Sequence, residues 1–321
     1  MRTFLNVIAI VAALLAHGVA SAQPFPSKPL KIIVPVAVGG GADTMTRTMA
    51  VALAERIGQS VVVENRGGAG GVIGMEAGAR VPADGYTLTM VFQSMGANPY
   101  LYAKLPFDTV KDFAPVSLMV HYQLVMVVNP AVPVNTVAEL IALAKAKPDT
   151  LTYGSSGAGG ASHLAMEQFS SRTGTRFTHI PYKGNAPAMA DLIGGQITTI
   201  VDAVAGPLPL IRAGKIRALG VASNHRSVLL PDVPAISETV PGFEMVGWLG
   251  IVAPAGTPPD RVAYLSKEIA AAMNTPAIKQ RLVETGNEVI GSTPEEFAQF
   301  IQAELTKYEK LIREAGIKAN Q

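Results

Sequence analysis

The sequence contains no cysteine among its 321 residues, which excludes disulfide bonds and the attachment of a lipid through cysteine. Charged residues make up only 16% of the chain, and 26 basic residues nearly balance 24 acidic ones. The basic residues are spread along the chain and form no polybasic run. We therefore expect neither nucleic-acid binding nor electrostatic attraction to membrane lipid.

Motifs of common enzyme classes are absent as well. Residues 154–157 read GSSG, but Ala158 follows, so the spacing of a G-x-S-x-G nucleophile elbow fails. Neither a dinucleotide-binding G-x-G-x-x-G nor a P-loop occurs. The five histidines lack H-E-x-x-H spacing. We predict that the protein is not an enzyme and has no catalytic residue, no metal site and no cofactor.

The N-terminus carries the features of a secretory signal peptide. Arg2 precedes an apolar run over residues 4–15, and residues 20–22 form an A-x-A cleavage pattern. The run is shorter than the roughly 20 apolar residues that span a bilayer. We predict that residues 1–22 are cleaved, that the mature chain begins at Gln23, and that it is exported to the periplasm.

Apolar runs of strand length alternate with helix-like segments through most of the mature chain. Residues 30–38 form a nearly continuous apolar run, which is typical of a strand buried on both faces. Asp43 or Thr44 is expected to cap the helix that follows. Three further helices, each opened by a proline, are predicted near the C-terminus over residues 259–274, 276–285 and 294–315. Strands separated by helices indicate an α/β fold with parallel sheets.

The length of the chain allows two domains, but no flexible linker separates them. We therefore predict that two α/β domains are interleaved, with the chain crossing between them twice. The first domain comprises residues 23–125 together with 226–321. The second domain comprises residues 126–225.

A glycine-rich loop over residues 37–43 follows the first predicted strand, at the sheet edge where ligands bind in α/β proteins. Glycines allow close approach of the backbone, and the next helix presents free N–H groups. Val38, Gly39, Gly40 and Gly41 are therefore candidate ligand-binding residues for a carboxylate. The alternative is a tight turn that needs glycine for its backbone angles.

A second loop, residues 154–163, combines glycines with serines ahead of another helix. Hydroxyl and N–H donors together suit a carboxylate, so Ser155, Ser156, Gly157 and Ser162 are candidates. Ser162 has the alternative role of a helix cap.

His163 follows Ser162 directly in this loop. Adjacent helical residues point about 100° apart, so the two side chains do not form a nucleophile–base pair. We expect His163 to bond a backbone carbonyl or to pack at the domain interface. Trp248 is expected in the core.

Two single residues at strand ends complete the set of candidates. Ser94 lies in a predicted loop over residues 93–99, and Asp202 ends a predicted strand over residues 197–201. A carboxylate at a strand end accepts from a ligand hydroxyl or holds an ordered water. For Asp202 the alternatives are a cap for the helix from Leu208 or bonds to loop amides.

Motifs along the chain resemble those of the tripartite tricarboxylate transporter substrate-binding proteins, also called the Bordetella uptake gene or Bug family. They include PSKPLKIIVPVAVGGGADTMTR (26–47), GSSGAGGASHLAMEQF (154–169) and HIPYKG (179–184), with seven further segments in the family's order. The similarity extends from about Pro26 to Gly316.

The resemblance implies a type II periplasmic-binding-protein fold, in which two domains close around a ligand cleft. It also implies integral membrane transporter subunits as partners, a monomer, and carboxylate binding through loop amides, hydroxyls and ordered waters. In this sequence those roles fall on glycines 39–41, Ser155, Ser156, Ser162 and Asp202.

Two departures from the family pattern bear on the ligand. Ala37 and Val38 stand where the family is proline-rich, and Ala203 follows Asp202 where a polar residue is frequent. Both changes favour a less polar ligand, such as an aromatic or short aliphatic carboxylate. The alternatives to transport are a ligand-presenting sensor for a membrane signalling partner and a serine-dependent hydrolase that uses the second loop.

Overall fold

The computed structural model describes residues 25–317, so the predicted signal peptide lies outside the described residues. The chain begins with alternating strands and helices, as the sequence predicts. β1 pairs in parallel with both β2 and β3. The bounds of these elements are β1 Leu30–Val34, α1 Gly41–Ile57, β2 Val61–Asn65, α2 Val72–Ala79 and β3 Thr87–Val91, with a 3₁₀ turn over Ala69–Gly71.

The first strand is shorter than predicted, and residues 35–40 form a loop. Val34 pairs with Asn65, the last residue of β2, so the parallel ladder between the two strands ends there. Pro35 also lacks a backbone N–H for further pairing. Val38 is accordingly 72% exposed.

Residues 94–101 form a helix, α3 (Ser94–Leu101), where a loop was predicted over residues 93–99. The composition, with Gly96, Asn98 and Pro99, is typical of a turn. The buried side chains of Ala97 and Leu101 pack in a core cluster with Leu164 and Phe169, and this tertiary contact overrides the weak local preference.

The strand β4 (Phe113–Val128) joins the two halves of a ten-stranded sheet. Its first part pairs antiparallel with β9 (Val246–Pro254), and its last five residues pair with β7 (Thr199–Ala203). β5 (Thr152–Ser155) pairs in parallel with both β7 and β6 (Thr178–Pro181). The remaining elements of this half are α4 Val137–Ala146, β5 Thr152–Ser155, α5 Ala161–Thr173, β6 Thr178–Pro181, α6 Asn185–Ile193, α7 Leu208–Arg212 and β8 Arg217–Val221.

The C-terminal helices are confirmed within one residue of their predicted bounds. They are α8 Pro259–Met273, α9 Pro276–Glu284 and α10 Pro294–Ala315, and a short strand β10 (Asn287–Val289) that was not predicted pairs with β4. The Thr293 side chain caps α10 by accepting from the Glu296 N–H, while the Glu296 carboxylate accepts from the Thr293 N–H. No helix between residues 25 and 317 combines the length and apolarity of a bilayer crossing.

The last helix contacts two separate parts of the core. Phe297 and Ile301 pack with Trp248, which is buried as predicted. Tyr308 and Ile312, about two and three turns beyond Ile301, join the cluster that contains Phe169 of α5. α10 therefore bridges the segments assigned to the two domains, whose boundaries stay a prediction.

Candidate ligand-binding site

The first loop is held in place by a buried carboxylate. Asp43 accepts the Gly39 N–H at 2.9 Å, the Asn65 side-chain amide at 2.9 Å and the Arg47 Nε at 3.0 Å. Burial alone would raise the pKa of Asp43, but these hydrogen bonds hold it below its ordinary value. Asp43 lies inside α1, whose N-cap is Gly40, so the predicted cap at Asp43 or Thr44 is wrong. Because its carboxylate reaches back to Gly39, Asp43 fixes the loop instead.

The candidate residues of this loop lie on the surface. Val38, Gly39, Gly40 and Gly41 are all exposed, and a side-chain carbon added at Gly39 or Gly41 would meet no atom within 4 Å. Gly39 has a φ of +86°, which favours glycine. The first N–H groups of α1 have no partner within the helix. The loop therefore presents backbone donors to an open space.

A neighbouring glycine-rich segment connects the two candidate loops. Gly67 lies against the first loop, because a Cβ there would come within 3.0 Å of the Ala37 nitrogen. Three residues on, Gly70 touches the second loop, where a Cβ would collide with the carbonyl oxygen of Ala158. The structure thus brings the two loops to opposite sides of one short segment.

Hydrogen bonds link three of the predicted candidates through a residue that was not predicted. The Ser162 hydroxyl accepts the Ser156 N–H at 3.0 Å and donates to Asn185 Oδ1 at 3.5 Å. The Asn185 amide in turn donates to Asp202. Asn185 opens α6 directly after β6, so a polar residue behind a strand end was the signal that could have identified it.

Asp202 is 9% exposed, and burial raises its pKa to about 6 despite bonds from Ala203 N–H and Asn185. The bond from the Ala203 N–H, 2.7 Å long, matches the alternative of a contact with loop amides. The alternative of a helix cap fails, because the N-cap of α7 is Pro207 and receives no side-chain bond. A ligand contact for Asp202 stays a prediction.

Ser155 is fully buried, whereas Ser162 is 2% exposed and Ser156 is half-buried. The Ser155 Oγ lies 2.6 Å from Nε2 of His179 and accepts the Gly157 N–H at 3.1 Å. A serine–histidine pair is part of nucleophilic catalysis, but this hydroxyl has no exposed surface from which to reach a substrate. Because both Ser155 and the Gly157 N–H are engaged inside the loop, their contact with a ligand stays a prediction.

The expectation for His163 is wrong in part. Its Nδ1 accepts the backbone N–H of Gly159 at 3.1 Å, so its partner is a donor and not a carbonyl. The physical reason is its place in the first turn of α5, where the ring reaches back over the N–H groups that precede the helix.

The start of α3 lies beside both glycine-rich segments. A Cβ on Gly71 would come within 3.2 Å of Ser94 Oγ, and one on Gly159 within 2.9 Å of Asn98 Oδ1. Ser94 Oγ, Asn98 Oδ1 and Gln93 Nε2 are buried and have no hydrogen-bond partner among the described residues. Such atoms suit a ligand or an ordered water. Within residues 25–317 no three histidine or acidic side chains are grouped to hold a metal ion.

Comparison with known proteins decides the family. A family model described as "Tripartite tricarboxylate transporter family receptor" matches residues 45–317. The chain belongs to this receptor family.

Individual relatives of this receptor agree with that assignment. Protein BugT of Bordetella pertussis is 36% identical over 324 residues, covering 99% of each chain. The structure of R. palustris Rpa4515 with adipate is 36% identical with a TM-score of 0.87, covering 92% of this chain and 99% of that one. MatC of Rhodopseudomonas palustris with bound malate is 30% identical with a TM-score of 0.85, covering 90% of this chain and 100% of that one.

These findings confirm the resemblance read from the sequence motifs and the two-domain α/β fold of periplasmic binding proteins. The receptor is a solute-binding protein of a tricarboxylate-type transporter, and its family and similar structures are binding proteins and not enzymes.

Proposed function

We propose that this receptor captures a small carboxylate in the periplasm and delivers it to the integral membrane subunits of its transporter. The observation that carries the proposal is the exposed N-terminus of α1 with its three glycines, across Gly67–Gly70 from a serine-rich loop. Backbone N–H groups at a helix start bind an anion without a basic side chain. The similar structures with adipate and malate support a carboxylate as the ligand.

The proposed mechanism is domain closure. The first lobe, residues 23–125 and 226–321, supplies Gly39 to Gly41 and Ser94, and the second lobe, residues 126–225, supplies the serines and Asp202. A ligand that bonds both lobes stabilises the closed state by its higher affinity for that state. Exclusion of water then strengthens each hydrogen bond to the carboxylate.

The proposed ligand has an apolar part, either a short aliphatic chain or an aromatic ring. The exposed side chain of Val38 and the methyl group of Ala203, next to Asp202, support this choice. Neither residue offers a donor or acceptor in its side chain for a second polar group.

The proposed mature form is a monomer that begins at Gln23 after cleavage of the signal peptide. The A-x-A pattern over residues 20–22 supports cleavage there. Mass spectrometry of the protein secreted to the periplasm gives the N-terminus directly. A retained leader would overturn this part of the proposal.

A thermal-shift and calorimetric screen of residues 23–321 tests the proposed ligand class. The panel contains adipate, malate, benzoate and tricarboxylates, with amino acids and sugars as controls. At a hundredfold excess over its dissociation constant, a ligand adds about 2.7 kcal/mol of stability. Stabilisation by sugars alone, or turnover of a panel member, would contradict the proposal.

Two serine variants locate the site. Ser162→Ala removes the hydroxyl between Ser156 and Asn185 and is expected to weaken carboxylate binding about tenfold, the worth of one hydrogen bond. Ser171→Ala is the matched control, because Ser171 is exposed on the same helix. Equal carboxylate affinities for the two variants would show that the second loop is not part of the binding site.

A further inference from the structure

Two histidines stack beneath the second loop and are not among the proposed ligand contacts. The rings of His163, on α5, and His179, on β6, lie 4.4 Å apart between centroids. Tyr153 of β5 lies 4.7 Å from His179 and 6.3 Å from His163 between ring centroids, so the three rings form one compact cluster. Both histidines hydrogen-bond to residues of the second loop, so the cluster lies against that loop.

Each histidine is linked by hydrogen bonds to the N–H of one glycine in the loop. Nδ1 of His163 accepts the Gly159 N–H at 3.1 Å. Nε2 of His179 lies 2.6 Å from the Ser155 hydroxyl, which itself accepts the Gly157 N–H at 3.1 Å. The chain of bonds therefore runs from the Gly157 N–H to the serine oxygen, and in the tautomer of His179 with unprotonated Nε2 the serine O–H extends it to the imidazole.

The two glycines have backbone angles that require such restraint. Gly157 has a φ of +119° and Gly159 a φ of +75°. Glycine adopts positive and negative φ about equally readily, so the residue type alone does not select these conformations. With both N–H groups hydrogen-bonded in this way, the backbone of residues 154–162 is fixed in one conformation. The directions of the remaining donors of the loop, including the Ser162 hydroxyl, depend on that conformation.

An acceptor role requires an unprotonated Nδ1 on His163 and an unprotonated Nε2 on His179, because an N–H nitrogen of imidazole cannot accept a hydrogen bond. Burial lowers the pKa of His163 to about 3, with a further contribution from His179, and burial lowers the pKa of His179 to about 4. The groups that face the pair are Tyr153 and, through its hydroxyl, Glu167 on α5. Burial also raises the pKa of Glu167, so it disfavours the charged form of each of these three side chains, His163, His179 and Glu167.

We propose that His163 and His179 are positioning residues of the receptor: as neutral acceptors they hold Gly159 and, through Ser155, Gly157, and so set the shape of the ligand-binding loop. They do not contact the ligand themselves. The inference rests on the proposed function only for the role of the loop in binding, since the restraint on the loop exists without a ligand.

Substitutions that separate the acceptor from the ring test the proposal. Phenylalanine keeps the aromatic stack but has no acceptor. In His163→Asn the side-chain oxygen replaces Nδ1, and in His179→Gln it replaces Nε2, so the acceptor stays while the ring is lost. If the histidines act only by packing, the phenylalanine variants should keep the loop ordered. If they act as acceptors that position the loop, the amide variants should keep it ordered.

The first readout is hydrogen exchange of the peptide over residues 154–163 in the ligand-free protein. Exchange is expected to accelerate about tenfold in His163→Phe and His179→Phe, the loss of one hydrogen bond, and to return toward the wild-type rate in the amide variants. His225→Phe, at an exposed histidine outside the loop, is the control. Slower exchange in the phenylalanine variants than in the amide variants would overturn the proposal.

Two further measurements keep the proposal open to refutation if one variant does not fold. In the ¹⁵N spectrum of the wild-type histidines, Nδ1 of His163 is expected to be unprotonated at neutral pH, and a protonated Nδ1 would refute the assignment. The variants whose loop exchanges hydrogen faster are expected to bind adipate and malate more weakly, in the same rank order. If the wild type binds neither acid, the proposed ligand class fails, while the exchange and NMR results still decide the positioning role.

Discussion

Replacing Asp202 with asparagine is expected to stabilise the protein at neutral pH. Burial raises the pKa of this carboxyl from 3.8 to about 6, because the charged form loses its hydration in the folded state. The shift of about 2 pKa units corresponds to about 3 kcal/mol, at 1.36 kcal/mol per unit, which is an upper estimate of the gain. Asparagine keeps a side-chain oxygen for the Ala203 N–H and Asn185 bonds and carries no charge.

The sign of the pH dependence follows from the raised pKa. Between about pH 4 and pH 6 the folded protein holds the Asp202 proton and the unfolded chain releases it, so the wild type loses stability as pH rises through this window. His163 and His179 act in the opposite direction, because their lowered pKa values favour the folded state as pH rises. The difference between the variant and the wild type cancels these histidine contributions.

Urea unfolding followed by circular dichroism, at about pH 4 and at about pH 7.5, measures that difference. Asp202→Asn is expected to gain up to about 3 kcal/mol at the higher pH and almost nothing at the lower one. Asp232→Asn, which removes an exposed carboxylate, is the control. A difference that is the same at both pH values, or a variant less stable than the wild type at neutral pH, would refute the reasoning from burial.

Three further substitutions test other parts of the structure. Gly70→Ala should lower stability by more than Gly58→Ala, because a Cβ at Gly70 collides with Ala158 whereas one at Gly58 meets open space. The positive φ of Gly58 by itself makes alanine cost roughly 1 kcal/mol there. Denaturation curves compare the two variants, and equal losses of stability would contradict the contact between the loops. Asp43→Asn should lower stability by about 1–3 kcal/mol at neutral pH through loss of the ion pair with Arg47. The loss should shrink as pH falls below 3.8, because the stabilisation from a lowered pKa is complete above that pH and disappears as pH falls through the folded-state pKa. A constant loss in denaturation curves across this range would argue against the ion pair. Trp248→Phe removes the indole donor to buried Glu304 and should lower stability by about 1–3 kcal/mol. Unfolding is followed by circular dichroism, because the variant has no tryptophan left for fluorescence. An unchanged unfolding midpoint would show that this bond contributes nothing.

Much of the fold was predictable because its signals are local. The apolar run that ends at Gly39 located β1, and the proline-opened C-terminal helices were placed within one residue. The start of α3 was missed, because its helix depends on the burial of Ala97 and Leu101 against a distant part of the chain. β10 was missed for a similar reason: its three residues become a strand only beside β4.

The candidate site was predictable as a set of loops but not as a network of contacts. Ser156, Ser162 and Asp202 were selected one by one as polar residues near strand ends. Their connection through Asn185, and the separation of Ser155 from them by its bond to His179, could not be read from sequence spacing. Which hydroxyl is buried depends on side-chain packing between segments more than 20 residues apart.

Three features of the receptor follow from the order of its amino acids: the function classes that its composition excludes, the alternation of strands and helices, and the motifs that identify the family. These features depend on local periodicity and on residue order, which a chain carries before it folds. Only the tertiary structure decided that Asp43 fixes the first loop, that Gly70 joins it to the second, and that two stacked histidines lie beneath the serines. Those contacts arise because the folded chain brings distant side chains within hydrogen-bonding distance and removes them from water, where burial changes both their partners and their pKa values.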